Sequence, residues 1–184
     1  LFNNYKQIKA YGQSPEVMNT FVQLLGKAAP HYIQSAITAV QANPKLQECS
    51  PQSIFRSALR AATLGLSCDP ALGHAFIIPY RNKQGKSEAE FQAGWRGIQY
   101  MALRTGKYRY INVSPYYDGE EIIEDRITGG LNISGVATRP LKEKGLIASL
   151  RLVNGYQKSI YMTNEELEAH GAKYSRAYNR NDSI

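Results

Sequence analysis

Residues 73–106 read GHAFIIPYRNKQGKSEAEFQAGWRGIQYMALRTG, and this stretch decides the fold. Residues 74–81 form a short apolar run with β-branched members, residues 89–94 form a second one, and a polar loop separates them. Two such runs joined by a short polar loop predict a β-hairpin. From residue 95 the apolar positions return to helical spacing, which ends at Gly106. The stretch therefore predicts a hairpin that leads directly into a helix.

The chain before this stretch has the pattern of amphipathic helices. Apolar residues repeat at helical spacing over residues 16–29, and again after Pro30 as far as residues 43–44. Ser50 followed by Pro51 is typical of a helix N-terminus, with the serine as the N-cap residue. We therefore predict three helices upstream of the hairpin.

The chain after this stretch alternates strand-like runs with turn residues. The runs cover residues 108–117, 131–138, 146–153 and 156–162. Asn154-Gly155, between the last two runs, is a strong hairpin signal, and Thr163 with Glu166 forms a capping box that opens a last helix. The order predicts an α+β fold of N-terminal helices, a β-hairpin, a central helix and an antiparallel β-meander.

Size and composition limit the class of protein. A chain of 184 residues and 20.6 kDa predicts a single domain over 1–184, with a helical arm over about 1–48 and an α+β core over about 49–178. Its hydrophobic content of 43% excludes a mostly disordered chain, and no apolar run is long enough for a transmembrane helix. Two cysteines cannot form a disulfide framework, which favours a reducing compartment. The first residue is not methionine, and we expect flanking segments beyond both ends.

Positive charge is concentrated in the middle of the chain. The formal net charge is +7, and residues 81–109 carry seven basic and two acidic side chains, whereas residues 110–184 carry nine basic and ten acidic ones. Charge localised in this way indicates an anionic partner. The alternative is a solvated basic surface that keeps the protein soluble.

The predicted helix after the hairpin carries the most informative side chains. Arg96, Tyr100, Arg104 and Lys107 are spaced so that they share one helical face, and we expect Ile98, Met101 and Ala102 to pack on the sheet from the opposite side. Cations on such a face neutralise phosphates, and an aromatic ring among them supports a base. An ordinary amphipathic helix with a soluble outer face is the alternative.

Three other kinds of chemistry find little support in the sequence. Gly85-Lys86-Ser87 lacks the earlier glycine and the following helix of a phosphate-binding P-loop. Cys68 with His74 could form a nucleophile and its base, but a small residue in a turn is the better interpretation. The acidic run of residues 118–125 could hold Mg²⁺ in a nuclease, or could be a solvated turn or a surface for a neighbouring subunit.

Several motifs together resemble a known family. They are IFRSALRAATLGL at residues 54–66, DPALGHAFIIPY at 69–80, FQAGWRGIQYMALRTG at 91–106, and YMTNEEL with KYS at 161–175. This chain resembles the RecT family of bacteriophage single-strand annealing proteins, in the Redβ-like superfamily, from about residue 14 to 178. Trp95 stands where the family pattern has tyrosine, and Gly171 interrupts a tail that is usually helical.

The resemblance implies a function, a fold and partners. It implies ATP-independent annealing of complementary single strands in phage recombination by a non-enzymatic protein that forms rings or helical filaments. A single α+β domain would bind single-stranded DNA and annealed duplex in a basic groove. No cofactor is expected, with Mg²⁺ only as a counterion of DNA, and no membrane contact. The expected partners are a phage exonuclease and the host single-strand-binding protein, in the bacterial cytoplasm. A metal-dependent nuclease and a passive single-strand-binding protein remain the alternatives.

The residue types and the resemblance together give a candidate DNA-binding set. We expect phosphate contacts from Arg96, Arg104, Lys107 and Arg109. Further cations are expected at the hairpin tip and on the meander, namely Lys83, Lys86, Arg139, Lys142, Lys144 and Lys158. Rings that could pack near bases are Trp95, Tyr100 and Tyr108, although Trp95 could instead anchor the core.

Overall fold

The computed structural model describes residues 2–175, without the side chains of residues 2 and 3, so the last predicted core residues, 176–178, lie outside the described residues. The helices are α1 (Phe2–Gly12), α2 (Pro15–Leu25), α3 (Ala29–Ala42), α4 (Pro51–Thr63), α5 (Trp95–Arg104) and α6 (Asn164–Tyr174), with short 3-10 turns at Gly26–Ala28 and Pro44–Glu48. The strands are β1 (Ala75–Arg81), β2 (Ser87–Ala93), β3 (Tyr108–Tyr117), β4 (Glu120–Asp125), β5 (Gly130–Gly135), β6 (Glu143–Leu152) and β7 (Gln157–Thr163). Helices with antiparallel sheets confirm the predicted α+β class.

Local capping fixes the ends of several helices, as the sequence predicts. The Ser50 hydroxyl accepts a hydrogen bond from the Ser53 backbone N–H at 3.3 Å, ahead of Pro51 in the first turn of α4. At α6 the Thr163 hydroxyl accepts from the Glu166 N–H at 3.2 Å, and the Glu166 carboxylate accepts from the Thr163 N–H at 2.9 Å. Both caps satisfy donors that a helix start leaves without intrahelical partners.

The described chain divides into two compact units, residues 1–102 and 103–184, with the boundary inside α5. We name them unit 1 and unit 2. The helices before residue 49, including the unpredicted α1, contribute to the hydrophobic core of unit 1 together with α4 and the hairpin. That the whole of 1–184 acts as one strand-annealing domain stays a prediction.

Unit 1 is built on α4, which carries the β1–β2 hairpin. Its buried stripe includes Ile54 and Phe55. Two serines on the same helix bind the hairpin directly: the Ser53 hydroxyl accepts from the Ala89 N–H and the Ser57 hydroxyl donates to the Ala89 carbonyl, both at 3.0 Å. The hairpin pairs from Ala75 opposite Ala93 to Arg81 opposite Ser87, which confirms the predicted hairpin. The helix and the hairpin are thus joined by packing and by buried hydrogen bonds.

Unit 2 contains two antiparallel sheets rather than one continuous meander. One sheet has the order β3-β6-β7, and β4 pairs only with β5 as a separate hairpin. The strand β4 covers most of the acidic run, so residues 120–125 are not a turn. Gly145 lies within β6, where a side chain would overlap the Met162 carbonyl oxygen. The strand order therefore differs from the predicted succession, while the predicted strands themselves are present.

Candidate nucleic-acid interface

The start of α5 is held tightly against the residues that precede β1. The Gly94 N–H donates to the His74 carbonyl at 3.0 Å, and Gly97 is buried with its α-carbon so close to the same carbonyl that a side chain would overlap it. One turn further on, the Tyr100 ring stacks on the His74 ring, with the centroids 4.8 Å apart and the planes 18° apart. Glycine is required at 97 because the two backbones approach each other there.

This docking leaves the aromatic and basic residues of the first turn in solvent. Trp95 is 68% exposed, so it does not anchor the core. The Arg96 guanidinium carbon lies 5.3 Å from the centroid of the Trp95 ring, a cation–π arrangement. The Arg96 side chain also lies beside Gly73, so close that a β-carbon on this glycine would contact it. An exposed tryptophan next to an exposed arginine is suited to a base and a phosphate.

The predicted packing face of α5 is partly wrong. Ile98 is 57% exposed, whereas Met101 packs against the core of unit 1 and Ala102 is partly buried. The close approach at Gly97 sets the rotation of the helix, and this rotation turns Ile98 towards solvent. Arg96, Tyr100 and Arg104 still follow one another at four-residue spacing along the helix.

The hairpin tip presents two predicted lysines on a well-ordered turn. The Asn82 side-chain oxygen accepts hydrogen bonds from the N–H groups of Gln84 at 2.9 Å and Lys86 at 3.0 Å. The Asn82 amide donates to the Glu88 carboxylate at 3.0 Å. Lys83 and Lys86 are exposed on this turn, which is followed by β2 and not by the helix that a P-loop requires.

The other predicted cations belong to unit 2 and do not all share a surface. Lys107 precedes β3, and its carbonyl accepts from the Val153 N–H at 2.9 Å. Tyr108 and Arg109 start β3, Arg139 and Lys142 lie between β5 and β6, and Lys144 and Lys158 are exposed on β6 and β7. The sheet register places Lys158 on the face opposite to that of Arg151, while Lys144 lies at a register shift of β6. Since the set is divided between units and between faces, the continuous basic groove stays a prediction.

The candidate set predicted from the sequence does not include two residues on the sheet of unit 2, Tyr110 and Arg151. Tyr110 is paired directly with Arg151, and Arg109 stands beside that pair at an irregularity in the register. Because β3 and β6 are far apart in the sequence, only their pairing brings these residues together. Tyr110 directly follows Tyr108 and Arg109 and so continues the basic and aromatic pattern after α5, whereas no local motif in the sequence marks Arg151.

The geometry gives little support to a cysteine nucleophile or to a metal-dependent nuclease. Burial raises the pKa of the Cys68 thiol to about 12, so this cysteine is not a ready nucleophile. In the acidic run, the Glu120 carboxylate accepts from the Tyr117 N–H at 2.7 Å and the Asp125 carboxylate accepts from the Thr128 hydroxyl at 2.6 Å. Within residues 2–175, no group of three or more histidine, cysteine, aspartate or glutamate side chains could hold a metal ion. Both bonded carboxylates therefore have a local structural role.

Among the described residues, no helix is both long enough and apolar enough to span a bilayer.

Comparison with known proteins gives the family. A RecT family model matches residues 30–182 of this chain. The chain is 35% identical over 170 residues to the uncharacterized protein YqaK of Bacillus subtilis (strain 168), an alignment that covers 92% of this chain and 58% of that protein. It is 30% identical over 96 residues to Protein RecT of Escherichia coli (strain K12), covering 50% of this chain and 36% of that protein. The chain thus spans little more than half of one relative and about a third of the other. Because the family model covers most of its length, the chain belongs to the RecT family.

Proposed function

We propose that this chain anneals complementary single strands of DNA during phage recombination, without ATP. Membership of the RecT family supports the proposed activity. The exposed residues of α5 support the proposed location of the DNA-binding site. The observation that carries it is the pair formed by Trp95 and Arg96, because a tryptophan that is 68% exposed contributes little to folding. On a DNA-binding surface the same pair contacts a base and a phosphate.

The proposed activity needs positioning and no covalent step. Arg96, Arg104, Lys107 and Arg109 neutralise phosphates of one strand, while Trp95, Tyr100 and Tyr108 pack near its bases; Lys83, Lys86, Arg139, Lys142, Lys144 and Lys158 add longer-range attraction. Phosphate contacts hold a strand without reading its sequence. The base edges stay free to pair with a second strand, which supplies the specificity. The protein acts as a template and not as an enzyme.

Repetition along the DNA completes the proposed mechanism. A head-to-tail contact between copies that does not close gives a filament, and a closing one gives a ring. Many weak contacts along one strand then add to a high affinity. We propose a phage exonuclease and the host single-strand-binding protein as further partners in the bacterial cytoplasm, no cofactor, and Mg²⁺ only as a counterion of DNA.

The test is an annealing time course with labelled complementary oligonucleotides, without ATP and with a metal chelator present. Faster pairing than in buffer alone supports the annealer. Protection of single strands without faster pairing would instead identify a passive binding protein. Loss of labelled DNA in a parallel reaction with Mg²⁺, but not with chelator, would identify a nuclease.

A single substitution tests the phosphate contacts. We expect Arg104→Ala to weaken binding and to reduce the slope of log affinity against log salt by about 0.7, the value for one phosphate of a single strand. Fluorescence titration at several salt concentrations measures both quantities. Arg60→Ala, which removes an exposed arginine from α4, is the matched control. An unchanged slope for Arg104→Ala would remove Arg104 from the site.

A further inference from the structure

One face of the β3-β6-β7 sheet has a polar end. The register places Tyr110, Arg151 and Gln157 in one row across the three strands, and Asn112, Ser149 and Ser159 in the next row. The Ser149 hydroxyl donates to the Ser159 hydroxyl at 3.0 Å. Tyr110 is 42% exposed and Asn112 is exposed. We name these two rows the polar sheet end.

The opposite end of the same face has a different composition. There Tyr116 and Ile147 are buried, and the Tyr116 ring meets the Tyr161 ring edge-on with the centroids 6.4 Å apart. Helix α6 also packs against β6 and β7. One end of the face therefore supports the fold of unit 2, while the polar sheet end presents side chains that this packing does not use.

Arg151 is the unusual member of the polar sheet end. Its Nε is shielded from solvent and has no hydrogen-bond acceptor among the described residues, although the side chain as a whole is only partly buried. Leaving a buried donor without an acceptor destabilises a folded protein. No carboxylate among residues 2–175 lies within 4.0 Å of this guanidinium. The arginine therefore has no carboxylate counter-charge among the described residues.

The strand opposite Arg151 adds a second arginine. Tyr108 pairs with Leu152 and Tyr110 with Arg151, so Arg109 is the extra residue of β3 next to the Tyr110–Arg151 pair. Such an irregularity re-aims a side chain and is frequent at binding sites. Like charges on neighbouring positions of paired strands repel each other. An anion between the two arginines would remove this repulsion and supply the missing acceptor.

We propose that the polar sheet end binds single-stranded DNA, with Arg151 and Arg109 on one phosphate and Tyr110 against the adjacent base. The inference rests on the proposed function and adds a second contact region to it. A phosphate takes two parallel hydrogen bonds from one guanidinium, and a turn of the Arg151 side chain would bring its Nε–H into such a pair. An exposed tyrosine offers a stacking surface that any base can use. The amide and hydroxyl groups of Asn112 and Gln157 are of the kind that contacts phosphate and sugar oxygens.

The first test compares Arg151→Gln, Arg151→Lys and the matched control Arg60→Gln. We expect Arg151→Gln to weaken binding of an oligothymidylate by about tenfold, which corresponds to one charge-assisted contact, and to lower the salt slope by about 0.7. Arg151→Lys keeps the charge but lacks the planar fork, so it should keep the slope and lose part of the affinity. Arg60→Gln should match the wild type. An affinity and slope equal to those of the wild type for Arg151→Gln would overturn the inference.

The second test needs no substitution at Arg151 and so does not depend on the folding of a variant. A wild-type complex with an oligonucleotide that contains 5-iododeoxyuridine is irradiated, and the cross-linked peptides are mapped by mass spectrometry. We expect an adduct at Tyr110 and none at Tyr174, which is exposed on α6 and serves as the control. Adducts elsewhere without one at Tyr110 would reject the polar sheet end while leaving the proposed function intact. Failure of the wild type to bind or anneal DNA would reject the proposed function as well.

Discussion

Units 1 and 2 are both regular in secondary structure, but they bury apolar side chains to very different extents. In unit 1 every helix from α1 to α4 and both strands of the hairpin contribute to one buried cluster. In unit 2, Tyr116 and Ile147 are the only buried hydrophobic residues among those described, whereas Val113 and Ile160 are more than half exposed. Unit 1 is therefore stabilised mainly by apolar burial, and unit 2 mainly by strand pairing and local hydrogen bonds. Unit 1 thus has a packed apolar core, whereas unit 2 is a set of paired strands with much of their side-chain surface exposed.

The largest expected effect tests this comparison with two isoleucines. Ile54 is 0% exposed in unit 1 and Ile160 is 54% exposed in unit 2. We expect Ile54→Ala to lower the free energy of unfolding by about 2–5 kcal/mol, because it leaves a cavity in a packed core. Ile160→Ala should cost about 0.5 kcal/mol or less, as surface changes usually do. Urea denaturation followed by circular dichroism measures both.

A second measurement shows in which unit each variant loses stability. Native-state amide exchange should show faster opening of α4 in Ile54→Ala, with the amides of β6 less affected. Equal losses for the two variants would mean that the exposed face of unit 2 contributes to stability as a core does. The comparison between the units would then be wrong.

A smaller effect is expected where α5 meets the hairpin. Gly97→Ala places a methyl group against the His74 carbonyl, and overpacking of this kind costs about 1–3 kcal/mol. The variant should also shift the emission of Trp95, which is the single tryptophan of the chain and lies two residues away. Urea denaturation and fluorescence spectra report the two effects. Gln99→Ala, on the same helix, is the control.

The stability and the Trp95 emission of Gly97→Ala distinguish a positioning role of Gly97 from direct contact with DNA. We expect weaker binding of single-stranded DNA in proportion to the change in Trp95 emission, because the glycine positions the exposed pair and does not touch DNA itself. A variant with unchanged emission and unchanged stability would show that the close approach at His74 does not position α5.

Local signals allowed much of the fold to be predicted from the sequence. The caps at Ser50 and Thr163 were predictable because side chain and backbone meet within three residues. The hairpin at residues 82–86 was predictable because polar turn residues separate two apolar runs. The helix α1 was missed because its sequence is largely polar and Ile8 is its one buried apolar residue among those whose side chains are described.

Long-range pairing explains what the sequence did not show. The pairing of Ile122 with Ile133 makes a strand out of an acidic segment that has little strand character on its own. The exposure of Ile98 depends on the close approach of Gly97 to His74. The helical spacing of apolar residues in the sequence gives no information about this approach. Arg151 became a candidate only through its pairing with β3. The residue types of the candidates on α5 allowed them to be predicted from the sequence. The sequence did not show that the remaining candidates lie on a separate sheet in unit 2.

The smallest expected effect concerns a turn of unit 2 that is stabilised by local hydrogen bonds and not by apolar burial. The Asp125 pKa lies below its usual 3.8 because the carboxylate accepts from the Thr128 hydroxyl and from the N–H groups of Ile127 and Thr128. A lowered folded-state pKa means that these bonds add stability above the usual pKa and lose it as the pH falls through the lowered value. Asp125→Asn should therefore speed amide exchange in β4 and β5 at about pH 6, and its difference from the wild type should shrink as the pH falls below 3.8. The amides of α4 should not respond at any of these pH values, because their protection comes from the buried cluster. An equal response in α4 would mean that the two units open together, and that the contrast in burial does not divide the stability of the chain.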